Sequence, residues 1–232
     1  VMGRHAGWIA AAGGLASTSD SPLPIIILFP EVIFNRKRFI KKVREKVRKC
    51  GYCSIVVSEG VKGANGKFLS DQGLTDAFGH AQLGGVAPVI ANIIKNDLGL
   101  KYHWGVADYL QRAARHIASK VDVDQAYALG ESAVKLAMQG HNAVMPTIER
   151  ISDSPYRWQI SSTPLSRVAN VEKKMPKKFI SNDGFGITPS CERYLKPLIK
   201  GEAYPPFKDG LPKYVVLKNK LVAKKIGMDF KL

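Results

Sequence analysis

Two short runs early in the chain are apolar at nearly every position: Ile25-Ile26-Ile27-Leu28-Phe29 and Cys53-Ser54-Ile55-Val56-Val57-Ser58. A run with no polar side has no face for water, the pattern of a strand buried on both faces of a parallel sheet. Between them, Phe39, Ile40, Val43 and Val47 recur at helical spacing among lysines and arginines. Residues 36–49 therefore read as an amphipathic helix with a basic outer face. Strand, helix, strand with a connection of this length predicts a parallel crossover, and with it an α/β fold.

The rest of the chain is punctuated by glycine and proline. Residues 8–16 read as an alanine-rich helix ending near Gly13-Gly14, followed by a polar loop. Residues 60–85 are glycine-rich and polar, and are expected to form a long loop. A helix is expected over 85–98, with Val86, Val89, Ile90, Ile93 and Ile94 inward. A short strand is expected over 102–107. A long helix is expected over 122–138, capped by Asp122 and stopped by Gly140. Residues 143–148 and 158–160 read as paired strands with a turn near 152–155. Helices are expected near 168–174 and 190–200, and the Pro-, Lys- and Gly-rich C-terminal stretch predicts no element. There is no internal repeat.

Composition narrows the function. At 232 residues with 45% hydrophobic content the chain can bury a sizeable core. No apolar run approaches the roughly 20 residues of a membrane helix. Cys50, Cys53 and Cys191 are too few for a disulfide framework, and no second pair completes the Cys-x-x-Cys at 50–53, so core or incidental cysteines in a reducing cytoplasm are expected. The net charge of +16 raises nucleic acid as a partner. No readout motif accompanies it, so nucleic acid ranks last. The same charge suits an enzyme that steers anionic metabolites.

Candidate chemistry begins at Met2-Gly3-Arg4. Glycine lets backbone approach a ligand, Arg4 offers a planar fork of donors to phosphate, and the start of the next helix adds unpaired N–H groups. The same residues would also suit an ordinary helix start with a surface arginine. Glu59 stands at the carboxyl end of the second buried strand, where open parallel sheets place ligands. It could equally be a solvated strand-end carboxylate.

Three segments then fall in order: Met2-Gly3-Arg4 within Val1-Met2-Gly3-Arg4-His5-Ala6-Gly7-Trp8, Ser58-Glu59-Gly60, and Tyr109-Leu110-Gln111-Arg112. With Phe29-Pro30-Glu31 and His141-Asn142-Ala143-Val144-Met145-Pro146, they resemble the phosphofructokinase family, most closely its pyrophosphate-dependent members. The resemblance runs from Val1 to about Pro206. It implies a fold of parallel sheets sandwiched between helices in two facing lobes joined by chain crossovers. Residues 1–111 would form the sugar-phosphate lobe. Residues 112–232 would cross to the donor lobe and complete it, with a returning C-terminal segment.

The resemblance implies transfer of a phosphoryl group from pyrophosphate to the 1-hydroxyl of fructose 6-phosphate, with Mg2+ as cofactor, in a cytoplasmic homodimer or homotetramer of glycolysis. ATP is the alternative donor, and a non-catalytic sugar-phosphate-binding subunit the alternative role. Met2, Gly3 and Arg4 would line the sugar pocket, with Arg4 stabilising the transferred phosphoryl group. Glu59 would accept from sugar hydroxyls. Tyr109, Leu110, Gln111 and Arg112 would lie at the 6-phosphate. Tyr109 could otherwise be a half-buried core tyrosine. Many members place an arginine six residues before the Tyr109 position, reaching a neighbouring subunit's sugar phosphate; here that residue is His103, with Lys101 two residues earlier. Lys101 is the preferred replacement. The family's glycine-rich donor loop and its Thr-Ile-Asp-Asn-Asp base segment have no equivalent among these residues. The chain is therefore expected to be the C-terminal part of a longer enzyme, with no metal ligand or general base of its own, and inactive alone.

Overall fold

The computed structural model describes residues 1–75, 81–83 and 85–223. Its centre is the predicted crossover. Strand β1 (Ile25–Leu28) runs into helix α2 (Arg36–Cys50), and β2 (Ser54–Val57) returns parallel to β1, pairing Ile25 with Ser54 through Leu28 with Val57. Asn35 caps α2 by accepting the Arg38 N–H, and Gly51 ends it in the left-handed conformation.

The unbroken apolar run of β1 is explained by its two covered faces. Ile26 and Leu28 pack with Phe39 and Val43 of α2 and with Val86, Ile90 and Ile94 of α3 (Val86–Leu98). Ile27 and the following Phe29 pack on the other side. Their partners are Ala10 and Ala11 of α1 (Trp8–Gly13), Met175, Phe179, and Cys191 and Leu195 of α6 (Pro189–Leu195). Residues near the C-terminal end thus complete the core around β1. The basic face of α2 also ties elements together. Arg36 pairs with Asp97 on α3 at 2.5 Å, and Lys42 pairs with Asp183 at 2.5 Å.

Several expectations are corrected. The stretch over 60–85 contains a bridge between Lys62 and Phe68 and the antiparallel pair β3 (Asp71–Thr75) and β4 (Ala81–Leu83); residues 76–80 and 84 lie outside the described residues. Residues 102–107 form no strand. A short helix α4 (Leu110–Ala113) follows. Helix α5 (Lys120–Met138) starts earlier than expected because Ser119, not Asp122, is the cap: its hydroxyl accepts the Asp122 N–H. No α-helix covers 168–174. The C-terminal stretch contains a small ladder, β7 (Phe207–Lys208) with β8 (Leu211–Pro212).

The second half departs from a parallel design. Strands β5 (Val144–Asp153) and β6 (Tyr156–Pro164) pair antiparallel, as one long hairpin against α5. Helix α5 has no buried residue, and Tyr127, Val134 and Met138 on it are exposed. The parallel α/β unit is therefore confined to the first part of the chain.

Candidate functional site

The carboxyl end of β2 is where the site is assembled. Val1 runs beside it: the Val1 amine donates to the Val57 carbonyl at 2.8 Å, and the Glu59 N–H donates to the Val1 carbonyl at 3.0 Å. These bonds deliver Met2-Gly3-Arg4 to the Ser58-Glu59-Gly60 turn. The Gly3 N–H then donates to Glu59 Oε1 at 3.2 Å, and the Ser58 hydroxyl donates to the Gly3 carbonyl at 2.5 Å. Gly3 adopts φ +133°, a region that disfavours any side chain. A Cβ on Gly60 would stand 1.8 Å from the Arg4 carbonyl oxygen, so the two turns touch backbone to backbone.

The third segment closes on the first. Gln111 Oε1 accepts the Met2 N–H at 3.1 Å, while Gln111 Nε2 donates to the Asp108 carbonyl at 2.9 Å. Arg112 Nε lies 3.2 Å from Met2 Sδ, and its guanidinium stacks 4.9 Å from the Tyr109 ring centre. Segments separated by more than fifty residues in each case meet in one place. Tyr109 is 65% exposed, which removes it from the core. Leu110 is also exposed and takes part through its backbone, donating to the Ala107 carbonyl. Among the described residues the Arg4 guanidinium, half-buried, has no hydrogen-bond or ion-pair partner.

A cavity of about 1020 Å³ opens beside this junction. Met2, Glu59 and Gln111 stand on one part of its wall, and Lys101 and His103 on another. Lys101 and His103 are exposed and make no contact with Arg4 or Arg112. Within one chain the structure therefore joins every expected site segment except this pair.

Behind the junction is a support that sequence reading missed. Glu31 Oε1 accepts from two backbone amides, Gly7 N–H and Met175 N–H, each at 3.0 Å. Its Oε2 is buried and has no partner among the described residues. The neighbouring contacts follow the same seam: Trp8 Nε1 donates to the Lys173 carbonyl at 2.8 Å, and His5 pairs with Glu172. Ser58, fully buried, was likewise passed over, although its place between a buried strand and Glu59-Gly60 was the available signal.

Residues 1–137 match the family described as phosphofructokinase. The chain belongs to the phosphofructokinase family. It is 64% identical over 230 residues to a pyrophosphate–fructose 6-phosphate 1-phosphotransferase of Methylococcus capsulatus, covering 99% of this chain and 55% of that protein. The protein of the same name from Halomonas elongata is 61% identical, with 100% of this chain and 55% of that protein covered. Among solved structures, the pyrophosphate-dependent phosphofructokinase of Nitrosospira multiformis superposes with a TM-score of 0.86 at 63% identity, covering 97% of this chain and 53% of that one. The chain spans about half the length of the curated relatives it matches.

Family membership raises the question of Mg2+. Among the described residues no group of three or more His, Cys, Asp or Glu side chains converges to hold a metal ion. The described residues do not fit one. No helix among the described residues is long and apolar enough to cross a membrane. The three cysteines are free, with Cys191 buried in the core.

Proposed function

We propose that this chain forms the fructose 6-phosphate-binding part of a pyrophosphate-dependent 6-phosphofructokinase, which moves a phosphoryl group to the sugar 1-hydroxyl. The observation that carries the reading is the convergence of Met2-Gly3-Arg4, Glu59 and Tyr109–Arg112 on one end of β2, through bonds at 3.2 and 3.1 Å. Phosphoryl transfer rests mainly on positioning and charge neutralisation, and the junction offers both.

The roles follow from what each side chain has free. Arg4, with no partner among the described residues, supplies a guanidinium fork to the phosphoryl group as its charge builds up. Arg112, aimed by its stacking on Tyr109, binds the 6-phosphate together with the Tyr109 hydroxyl. Glu59 uses Oε1 on Gly3 and keeps Oε2 for sugar hydroxyls. Gln111 holds Met2 rather than substrate. Lys101, or His103, reaches the sugar phosphate of a second subunit in a homodimer or homotetramer. Mg2+, the donor site and the general base belong to residues outside this chain, in a cytoplasmic enzyme. Pyrophosphate is preferred to ATP as donor because the relatives at 57–64% identity carry the pyrophosphate name, whereas a relative named ATP-dependent, from Nostoc, is 34% identical over 137 residues.

Calorimetry on the 232-residue chain tests the division of labour. Fructose 6-phosphate should bind, while pyrophosphate with Mg2+ should give no fructose 1,6-bisphosphate. Turnover by this chain alone, or no sugar-phosphate binding, would overturn the reading.

A further inference from the structure

Ser58 is buried completely, and its hydroxyl has two partners. It donates to the Gly3 carbonyl at 2.5 Å and accepts the Gly60 N–H at 3.4 Å. The direction of both bonds is fixed by chemistry, because a carbonyl only accepts and a peptide N–H only donates. A hydroxyl taken out of water needs such partners. Here both belong to the backbone of the two turns that meet at the end of β2, which leaves nothing of Ser58 for a ligand.

The next residue completes the hold. Glu59 Oε1 accepts the Gly3 N–H, so two consecutive side chains grip the peptide groups on either side of one glycine. Gly3 can sit there only without a side chain: at φ +133° a Cβ would stand 2.6 Å from the Ala6 carbonyl oxygen and 3.2 Å from Ser58 Oγ. The freedom that lets glycine enter this conformation also lets the adjoining peptide rotate, so the turn needs an outside holder. A trans peptide points its C=O and its N–H in opposite directions. With the Gly3 carbonyl drawn to Ser58, the Arg4 end of the same peptide is turned away from the buried hydroxyl. The peptide after Arg4 is fixed by contact, since its carbonyl oxygen lies against Gly60. The backbone on both sides of Arg4 is thus fastened, while its guanidinium has no partner among the described residues.

We infer that Ser58 is a positioning residue: through its bond to the Gly3 carbonyl it sets the plane of the Gly3–Arg4 peptide, and with it the direction in which Arg4 presents its guanidinium to the transferred phosphoryl group. The inference rests on the role given to Arg4 under the proposed function. Ser58 differs in kind from Glu59, which holds Gly3 with one oxygen and has a second for the sugar. Its whole effect passes through the arginine, and a misplacement of about 1 Å in such a group costs on the order of 100-fold in rate.

Steady-state kinetics on the longer enzyme that contains this chain test the assignment. Ser58→Ala should lower kcat about 20-fold and raise the fructose 6-phosphate KM by less than about 3-fold, the split expected when a transition-state interaction is lost. Ser58→Cys, close in size but a weak donor, should fall between alanine and wild type. The deciding measurement repeats the substitution in an Arg4→Ala background. There Ser58→Ala should lower kcat less than about 3-fold, because the guanidinium it aims is gone. Equal losses in the two backgrounds would overturn the inference, since a hydroxyl that only stabilises the fold acts the same with or without the arginine. If Ser58→Ala does not fold, the Ser58→Cys cycle is read in its place: a loss of about 5-fold should shrink below about 2-fold once Arg4 is alanine, and an unchanged loss would again overturn the inference. An Arg4→Ala enzyme as fast as the wild type would instead overturn the proposed role of Arg4, and this inference with it.

Discussion

Glu59 accepts the Gly3 amide proton at 3.2 Å across 56 residues of sequence. The bond joins a strand end to a turn whose glycine sits at φ +133°, and among the described residues it leaves the second carboxylate oxygen without a hydrogen bond. Glu59→Ala removes both the clamp and the free oxygen. It should weaken fructose 6-phosphate binding by about 10- to 30-fold, roughly 1.4–2 kcal/mol. Glu59→Gln keeps an oxygen for the Gly3 N–H and should lose less than about 5-fold. Calorimetric titration of both variants checks the order, and an alanine variant that binds as tightly as the wild type would remove Glu59 from the site.

Gly60 has no room for a side chain, because its Cβ would meet the Arg4 carbonyl oxygen at 1.8 Å and the Gly3 carbonyl oxygen at 2.7 Å. Both obstacles are backbone and neither can rotate away. Gly60→Ala should destabilise the chain by about 3 kcal/mol, at the upper end of what overpacking does, and should displace Arg4. Gly105→Ala, where a Cβ would meet nothing within 4 Å, should stay within about 0.5 kcal/mol. Urea unfolding of the pair measures the contrast.

Asp183 gives the fold an acid-sensitive tie. Burial alone would push its carboxyl up, but hydrogen bonds from Lys42 Nζ, the Ser181 hydroxyl and the Phe185 N–H outweigh that and bring its pKa from 3.8 to about 2. A carboxyl held below its unfolded value adds stability above pH 3.8, and this is lost as the pH falls towards 2. The Asp183 side chain is 45% exposed, so screening reduces the contribution to roughly 1 kcal/mol. Asp183→Asn should flatten that part of the stability curve, measured as the wild-type minus variant difference between about pH 5 and pH 2.

The fold was most legible where one pattern had one physical cause. Ile26, Leu28, Ile27 and Phe29 face two covered sides, so β1 carried its own explanation. Helix α2 was legible because Phe39, Ile40 and Val43 are buried in a row of exposed cations. The strand expected over 102–107 failed for the opposite reason: a strand exists only by pairing, and the segment has no paired neighbour among the described residues. The helix expected at 168–174 was displaced by tertiary bonds from Trp8, Glu31 and His5 to residues 172–175. Ser119 was overlooked because Asp122 suits a cap as well, and only the backbone shows which side-chain oxygen receives the N–H.

The site followed the same division. The order of Met2-Gly3-Arg4, Glu59 and Tyr109–Arg112 marked the place, because family resemblance compresses contacts into motif order. It did not show that Gln111 is spent on Met2, or that Glu31 stands behind the turn, since backbone amides leave no trace in side-chain pattern.

The shared carboxylate of Glu31 also sets a timetable. Gly7 and Met175 hang from a single oxygen, and those donors lie 168 residues apart in a chain of 232. A growing polypeptide emerges from its first residue onward at about 5–20 residues per second. The bond from Gly7 spans 24 residues and can form early, whereas the bond from Met175 spans 144. Loop closure over such a span is slow. The seam behind the arginine turn is therefore complete only once Met175 has been made.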